Sequence, residues 1–327
     1  MKILLIDIDS YIPNLALMKV STYHKAKGDT VGLNYLQDPD KAYISVIFKK
    51  NRNKAVSCAY SLRLTYPEIE IDIGGPGYDL KKKLPTEIEE QQPDYSLYPD
   101  IDYSLGFTTR GCIRKCPFCV VPIKEGSLTR VRSIEEIHDK RHSQIKLLDN
   151  NILADKDNFR HIAEYCIKNN LKLDISQGLD ARLLDEETAI LLSKIKPMKN
   201  FVFAFDSLKY KKQVLHAIEL LKNAGINIRQ KVQFYVYCDK SVTGEYGFNS
   251  ALTRCQILKD AGTNPYVMLN IDEEPTPDMK HLKRWANRKF IFWTIDFKDY
   301  STSVKRIPDK TKDQPITLND FFNEGKA

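Results

Sequence analysis

Ser104-Leu105-Gly106-Phe107-Thr108-Thr109-Arg110-Gly111-Cys112-Ile113-Arg114-Lys115-Cys116-Pro117-Phe118-Cys119 runs from a short strand-like segment straight into three cysteines. Ser104–Thr109 reads as a strand, and Gly111 breaks it just before the first cysteine. Further strand candidates follow at Gln144–Leu148, Lys172–Ile175, Asn200–Phe205, Lys231–Tyr237 and Pro265–Asn270. Helical spacing fills the intervals at Ile134–His142, Asn158–Asn169, Glu186–Lys194, Lys211–Asn223 and Asn249–Asp260. Strands and helices in strict alternation predict parallel strands joined by crossovers, which curl into a barrel or part of one. Residues 103–278 are therefore expected to form a partial (βα)6 TIM-like barrel. In such folds function gathers at the C-terminal ends of the strands, and the cysteine loop follows the first of them.

The same rhythm, shorter, occupies residues 1–80. Lys2–Ile8, Val31–Leu36, Ala42–Phe48 and Ile69–Ile73 are strand candidates, and Leu15–Lys27 and Asn53–Thr65 are helices. This predicts a small doubly wound α/β domain. Residues 81–102, rich in Lys, Glu, Pro and Gln, read as a linker. The extension 279–327 carries Trp285, Phe290, Phe292, Trp293 and Phe297 and is expected to pack on the barrel and close one end.

The 327 residues are 42% apolar and 28% charged, an ordinary globular composition. No apolar run approaches the roughly 18–20 residues of a membrane span. The opening Met1-Lys2-Ile3-Leu4-Leu5-Ile6-Asp7 turns acidic too early for a signal peptide, so a cytoplasmic location is the default. A formal charge of +7 permits a nucleic-acid partner without indicating one, and Lys49-Lys50 and Lys81-Lys82-Lys83 read as solvated surface. Cys58, Cys166, Cys238 and Cys255 are scattered, which argues against a disulfide framework. Cys238 ends the fifth barrel strand, as a small core residue or a substrate-side thiol.

Cysteine thiolates are the standard ligands of iron–sulfur clusters. A cubane has four irons, so three thiolates leave one iron open. Zinc normally takes four ligands, and neither a second cysteine pair nor a nearby histidine before His138 supplies the rest. The spacing of Cys112, Cys116 and Cys119, with Phe118 before the last, resembles the signature of the radical S-adenosylmethionine (SAM) superfamily. The resemblance implies a [4Fe–4S] cluster on these cysteines, with SAM chelating the open iron. It implies reductive cleavage of SAM to methionine and a 5′-deoxyadenosyl radical, which abstracts hydrogen from an unidentified substrate. A reductant such as flavodoxin or ferredoxin is implied too, and Phe118 is placed near the adenine. Arg110, Arg114 and Lys115 are candidates to hold the loop or tune its charge.

The other strand ends supply the remaining SAM candidates. Asp149 and Asn150 stand where the family usually has a Gly-Gly-Glu-like segment for the SAM amino group; the alternative is a turn and helix cap. In Ser176-Gln177-Gly178-Leu179-Asp180-Ala181-Arg182, Gln177 and Asp180 are ribose candidates and Arg182 a carboxylate partner. The alternative there is a plain Arg–Asp ion pair, with Arg229 or Lys231 next in line for the carboxylate. Asp206 and Ser207 are similar candidates after the fourth strand.

In the first domain, Gly74-Gly75-Pro76-Gly77 ends a strand. With Pro13-Asn14-Leu15-Ala16-Leu17 and Lys27-Gly28-Asp29-Thr30-Val31, it resembles the cobalamin-binding-like domain of one radical SAM subgroup. The Asp-x-His-x-x-Gly cobalt-ligand motif is absent, and His24 is the only histidine in this segment. A degenerate domain is the preferred reading, with cobalamin-type methyl transfer as the other branch. A methylthiotransferase is disfavoured, because it needs a second cysteine triplet. The rival from another class is a non-catalytic iron–sulfur electron carrier or sensor.

Overall fold

Strand β1 (Lys2–Asp7) buries Ile3 and Leu5 on one side and Leu4 and Ile6 on the other. A strand apolar on both faces belongs at the centre of a parallel sheet. In the computed structural model, which describes residues 1–175, 177–241, 244–271 and 273–301, β1 lies between β2 (Thr30–Leu33) and β3 (Lys41–Ser45). The strand β4 (Glu70–Gly74) adds to β3, and all three pairings are parallel. Helix Leu15–Ala26 covers the Ile3 and Leu5 face with Leu17 and Val20. Helix Arg52–Thr65 covers the Leu4 and Ile6 face with Ala55 and Ala59. The sheet is thus doubly wound. The strand expected at Val31–Leu36 stops at Leu33, because Asn34 turns into the left-handed region at φ 59°. The one expected at Ala42–Phe48 stops at Ser45, because the Asp9 carboxylate accepts the N–H groups of Ile47 (2.7 Å) and Phe48 (3.1 Å).

The chain divides into two compact units, residues 1–101 and 102–300. The stretch expected as a linker, 81–102, belongs mostly to the first. Ile88 is buried beside Leu17 and Val20, with Leu84 and Leu97 packed around it. Asp94 anchors the segment, accepting from Ser21 Oγ (2.6 Å), Lys25 Nζ (2.7 Å) and the Ser96 N–H (3.0 Å). Apolar residues too few and too irregular for a helix pattern still dock when a helix face awaits them. Burial by itself raises the Asp94 carboxyl, but Lys25, Ser21 and Ser96 outweigh it and hold it down to about 2. A depressed folded pKa stabilises above the unfolded value and is lost as pH falls through the folded one. Asp94→Asn is expected to cost about 1–2 kcal/mol at neutral pH, and that difference closes between about pH 4 and pH 2. Urea unfolding of both proteins across that range, followed by far-ultraviolet circular dichroism, measures it.

In the second unit β5 (Tyr103–Gly106) leads into an antiparallel ribbon of β6 (Thr109–Arg110) with β7 (Thr129–Arg130). The strands β8 (Gln144–Leu147) and β9 (Lys172–Ile175) pair parallel to β5 in sequence order, and the short β10 (Lys196–Pro197) adds to β9. A second parallel sheet contains β11 (Phe201–Ala204), β12 (Val232–Cys238) and β13 (Asn264–Leu269). The two sheets meet where Leu179, beyond β9, bridges Phe203 of β11. The six longer strands therefore follow one another in chain order, all parallel. On β12, Val232, Phe234, Val236 and Cys238 are buried, whereas Gln233, Tyr235 and Tyr237 are partly exposed. Period two thus puts Cys238 on the face packed into the core, with no exposure, and burial pushes its thiol up to about 11. It is an inert core residue.

The described part of the aromatic extension packs on the second unit, as expected. Helix Pro277–Ala286 lies along β13, and the Asn287 side chain accepts from Val267 N–H (2.7 Å) and donates to Val267 C=O (3.1 Å). An amide thus pairs with the outer strand in place of a neighbour. Trp285 and Phe292 are fully buried in the same core, and Trp293 Nε1 donates to Asn264 Oδ1 at 2.9 Å. Phe290 is 80% exposed, and the part of the extension beyond 301 lies outside the described residues. Among the described residues no helix is long and apolar enough to cross a membrane.

Candidate functional site

The cysteine loop, residues 111–128, is closed at its neck. The β6–β7 ribbon brings its ends together, and the Cys112 N–H donates to Gly126 C=O at 3.2 Å. Gly111, at φ 82°, passes so close that a Cβ there would meet Ser127 O at 2.2 Å, so only glycine fits. Arg110 braces the far side of the neck through Glu125, at 3.0 Å.

Beneath the neck lies Asp149, 1% exposed at the end of β8. Its carboxylate accepts from the N–H of Thr108 (2.9 Å), the N–H of Thr109 (2.7 Å), Thr109 Oγ1 (2.9 Å) and, closest, Thr108 Oγ1. Asn158 Nδ2 adds a bond to Thr108 Oγ1 at 2.9 Å, and Asn150 Oδ1 accepts the Gly111 N–H at 2.9 Å. Burial pushes the Asp149 carboxyl up, against the pull of the threonine donors. Asp149 and Asn150, expected at SAM, are thus employed in fastening the loop to β8.

Cys112 Sγ accepts the Arg114 N–H (3.3 Å) and Asn151 Nδ2 (3.5 Å). Cys116 and Cys119 are linked by a turn in which the Cys119 N–H donates to Cys116 C=O at 3.0 Å. Burial pushes both their thiols up, and the cysteines repel one another's ionisation, so the groups lie within electrostatic reach. Among the described residues, however, no group of three or more His, Cys, Asp or Glu side chains is gathered as a bound metal ion requires.

Cys116 and Phe118 face a cleft of about 180 Å³ together with Arg182, Asp206, Ser207 and Tyr246. Three of the strand ends singled out in the sequence therefore meet there, with different employment. Phe118 stacks on Tyr237 at 4.1 Å between ring centroids and meets Tyr246 edge-on at 5.2 Å. Asp180 accepts from Arg182 Nε (2.6 Å), Arg182 Nη2 (2.9 Å) and Arg114 Nε (3.0 Å), so the ion-pair alternative holds for its carboxylate. Those arginines and burial oppose each other at Asp180, and the arginines win, lowering its pKa. The Arg182 guanidinium lies over Tyr210 at 4.3 Å. Asp206 accepts the Tyr237 N–H at 3.0 Å, and burial raises its carboxyl. Ser207 donates to Glu245 and caps the turn Leu208–Tyr210. Gln177 is exposed, and Ser176 lies outside the described residues. Arg229 and Lys231 immediately precede β12, at the end opposite Tyr237, and Arg229 stacks on Trp293 at 4.1 Å. They are not alternatives to Arg182.

Sequence reasoning missed Arg254, which has no exposure. From helix Phe248–Asp260 its guanidinium donates to Phe205 C=O (2.9 Å), Tyr237 C=O (3.0 Å) and Ser250 C=O (3.1 Å). It thereby holds the ends of β11 and β12 on which Asp206 and Tyr237 sit. Nothing in a lone arginine within a helical stretch signals this, because its partners are backbone groups.

The first unit offers no cradle at its glycine turn. A Cβ on Gly75 would meet Val46 O at 2.3 Å and one on Gly77 would meet Phe48 C at 2.7 Å, so the chain's own backbone occupies that space. His24 is held between Asp29 (2.7 Å) and Tyr43 (3.1 Å). These residues do not fit a histidine-ligated cobalamin.

No family model matches the sequence, and no curated protein matches it.

Proposed function

We propose that residues 102–300 form a partial (βα)6 barrel of radical SAM type, with a [4Fe–4S] cluster held by Cys112, Cys116 and Cys119. The observation that carries the reading is the three-cysteine loop fastened at the C-terminal end of β5, facing a cleft shared with the ends of β9 and β11. The donor set fits the group: three free, half-buried thiols on one loop, one of them already accepting two N–H groups. Once reduced by an external electron donor such as a flavodoxin or ferredoxin, a cluster with one open iron would supply the one electron needed to split SAM into methionine and a 5′-deoxyadenosyl radical. The chain's own residues do the rest. Phe118, backed by Tyr237, walls the cleft with an aromatic face. Arg182, held over Tyr210 and braced by Asp180, presents positive charge towards a carboxylate. Asp206 lines the same cleft as an acceptor for hydroxyl groups, and Ser207 shapes the turn beside it. We read the first unit as a degenerate cobalamin-binding-like domain without the Asp-x-His-x-x-Gly cobalt-ligand motif, and we assign it no cofactor.

The test is anaerobic reconstitution with iron and sulfide, reduction by dithionite, and mass spectrometry after addition of SAM. Methionine and 5′-deoxyadenosine in equal amounts are expected. A stable cluster that never cleaves SAM would reject this reading in favour of an electron carrier or sensor.

A further inference from the structure

Asn151 precedes the turn Ile152–Ala154, where an asparagine normally caps, yet its side chain makes no capping bond. It is 4% exposed, its Nδ2 donates to Cys112 Sγ at 3.5 Å, and its Oδ1 is buried with no partner. A buried acceptor left unpaired is costly. The amide therefore sits at some cost in the one orientation that puts N–H on sulfur. Its neighbours differ: Asp149 and Asn150 bond only to the neck of the loop.

We infer that Asn151 is a positioning residue that tunes the reduction potential of the centre through Cys112. The inference rests on the cluster proposed above. An N–H donor stabilises the extra negative charge that reduction places on a thiolate, and so raises the potential. The Arg114 N–H is a second donor to the same sulfur, but it is backbone, and only proline, which also fixes the loop's backbone, would remove it. Asn151 is thus the adjustable half of the pair.

The test is an EPR-monitored redox titration of the reconstituted full chain and of Asn151→Leu, at matched iron and sulfide content. Losing the donor is expected to make reduction roughly tenfold less favourable, a shift of about 59 mV to more negative potential for a one-electron couple. An unchanged potential in a fully loaded variant overturns the inference. Should Asn151→Leu not assemble a cluster, the parent protein decides. With 15N in its asparagine side chains, hyperfine coupling of that nitrogen to the reduced cluster supports the inference, and its absence overturns it. A parent protein that takes up no iron and sulfide brings down the cluster itself, and this inference with it.

Discussion

Replacing Cys112, Cys116 and Cys119 together by alanine is expected to abolish the binding of iron and sulfide proposed above, whereas replacing Cys166 or Cys58 is expected to leave it unchanged. The contrast follows from where the thiols lie. Cys166 and Cys255 are at most 1% exposed, and burial pushes both up to about 12. A thiol held neutral in an apolar core is neither a ligand nor a nucleophile at neutral pH. Cys58 is half-buried on helix Arg52–Thr65 with no second thiol beside it in the sequence. The loop cysteines are half-buried together, on a segment tied at its neck and again through Arg114 to Asp180 and Phe118 to Tyr237. Ligation requires the thiols to lose their protons, which makes uptake dependent on pH. Iron and sulfide assays on anaerobically reconstituted protein check this. A triple variant that keeps its full complement would show that the loop is not the cluster's seat.

Asp149→Ala is expected to destabilise the second unit by about 3–5 kcal/mol, among the largest effects for one side chain. Four donors from Thr108 and Thr109 converge on this one carboxylate, and both threonines have no exposure. Truncation strands all four in a buried place. The neck of the cysteine loop would then lose its fastening to β8, so iron uptake should fall with stability. Asp149→Asn keeps the shape and one acceptor oxygen, and should lose less than half as much. Trp285 and Trp293, the only tryptophans of the chain, both lie in the second unit, so their fluorescence reports its urea unfolding directly. Equal stability of Asp149→Ala and the parent would mean that the loop is held by its β6–β7 ribbon alone.

The alternation of strands and helices was readable because each element carries a periodic apolar pattern. Helix Lys211–Asn223 buries Val214, Ala217, Ile218 and Leu221, the three-and-four spacing of one face. The docking of 81–101 was not readable, because Leu84, Ile88 and Leu97 follow no period and bury themselves only against a neighbour. The same distinction divides the site. Cysteines crowded on a loop announce themselves in the sequence. The roles of three adjacent polar residues do not: Asp149 grips two threonines, Asn150 grips Gly111, and Asn151 reaches a sulfur.

What the sequence by itself determined is the α/β class, the two stretches of βα rhythm, and the loop on which the thiols stand. Those follow from short-range rules of side-chain period and turn chemistry, which act before the chain is folded. Only the tertiary structure decided that Cys238 faces the core, that the aromatic extension pairs along β13, and that Arg254 holds two strand ends from a neighbouring helix. The physical reason is that a buried polar group must find its partner wherever folding puts one, and those partners lie from 17 to 49 residues away along the chain.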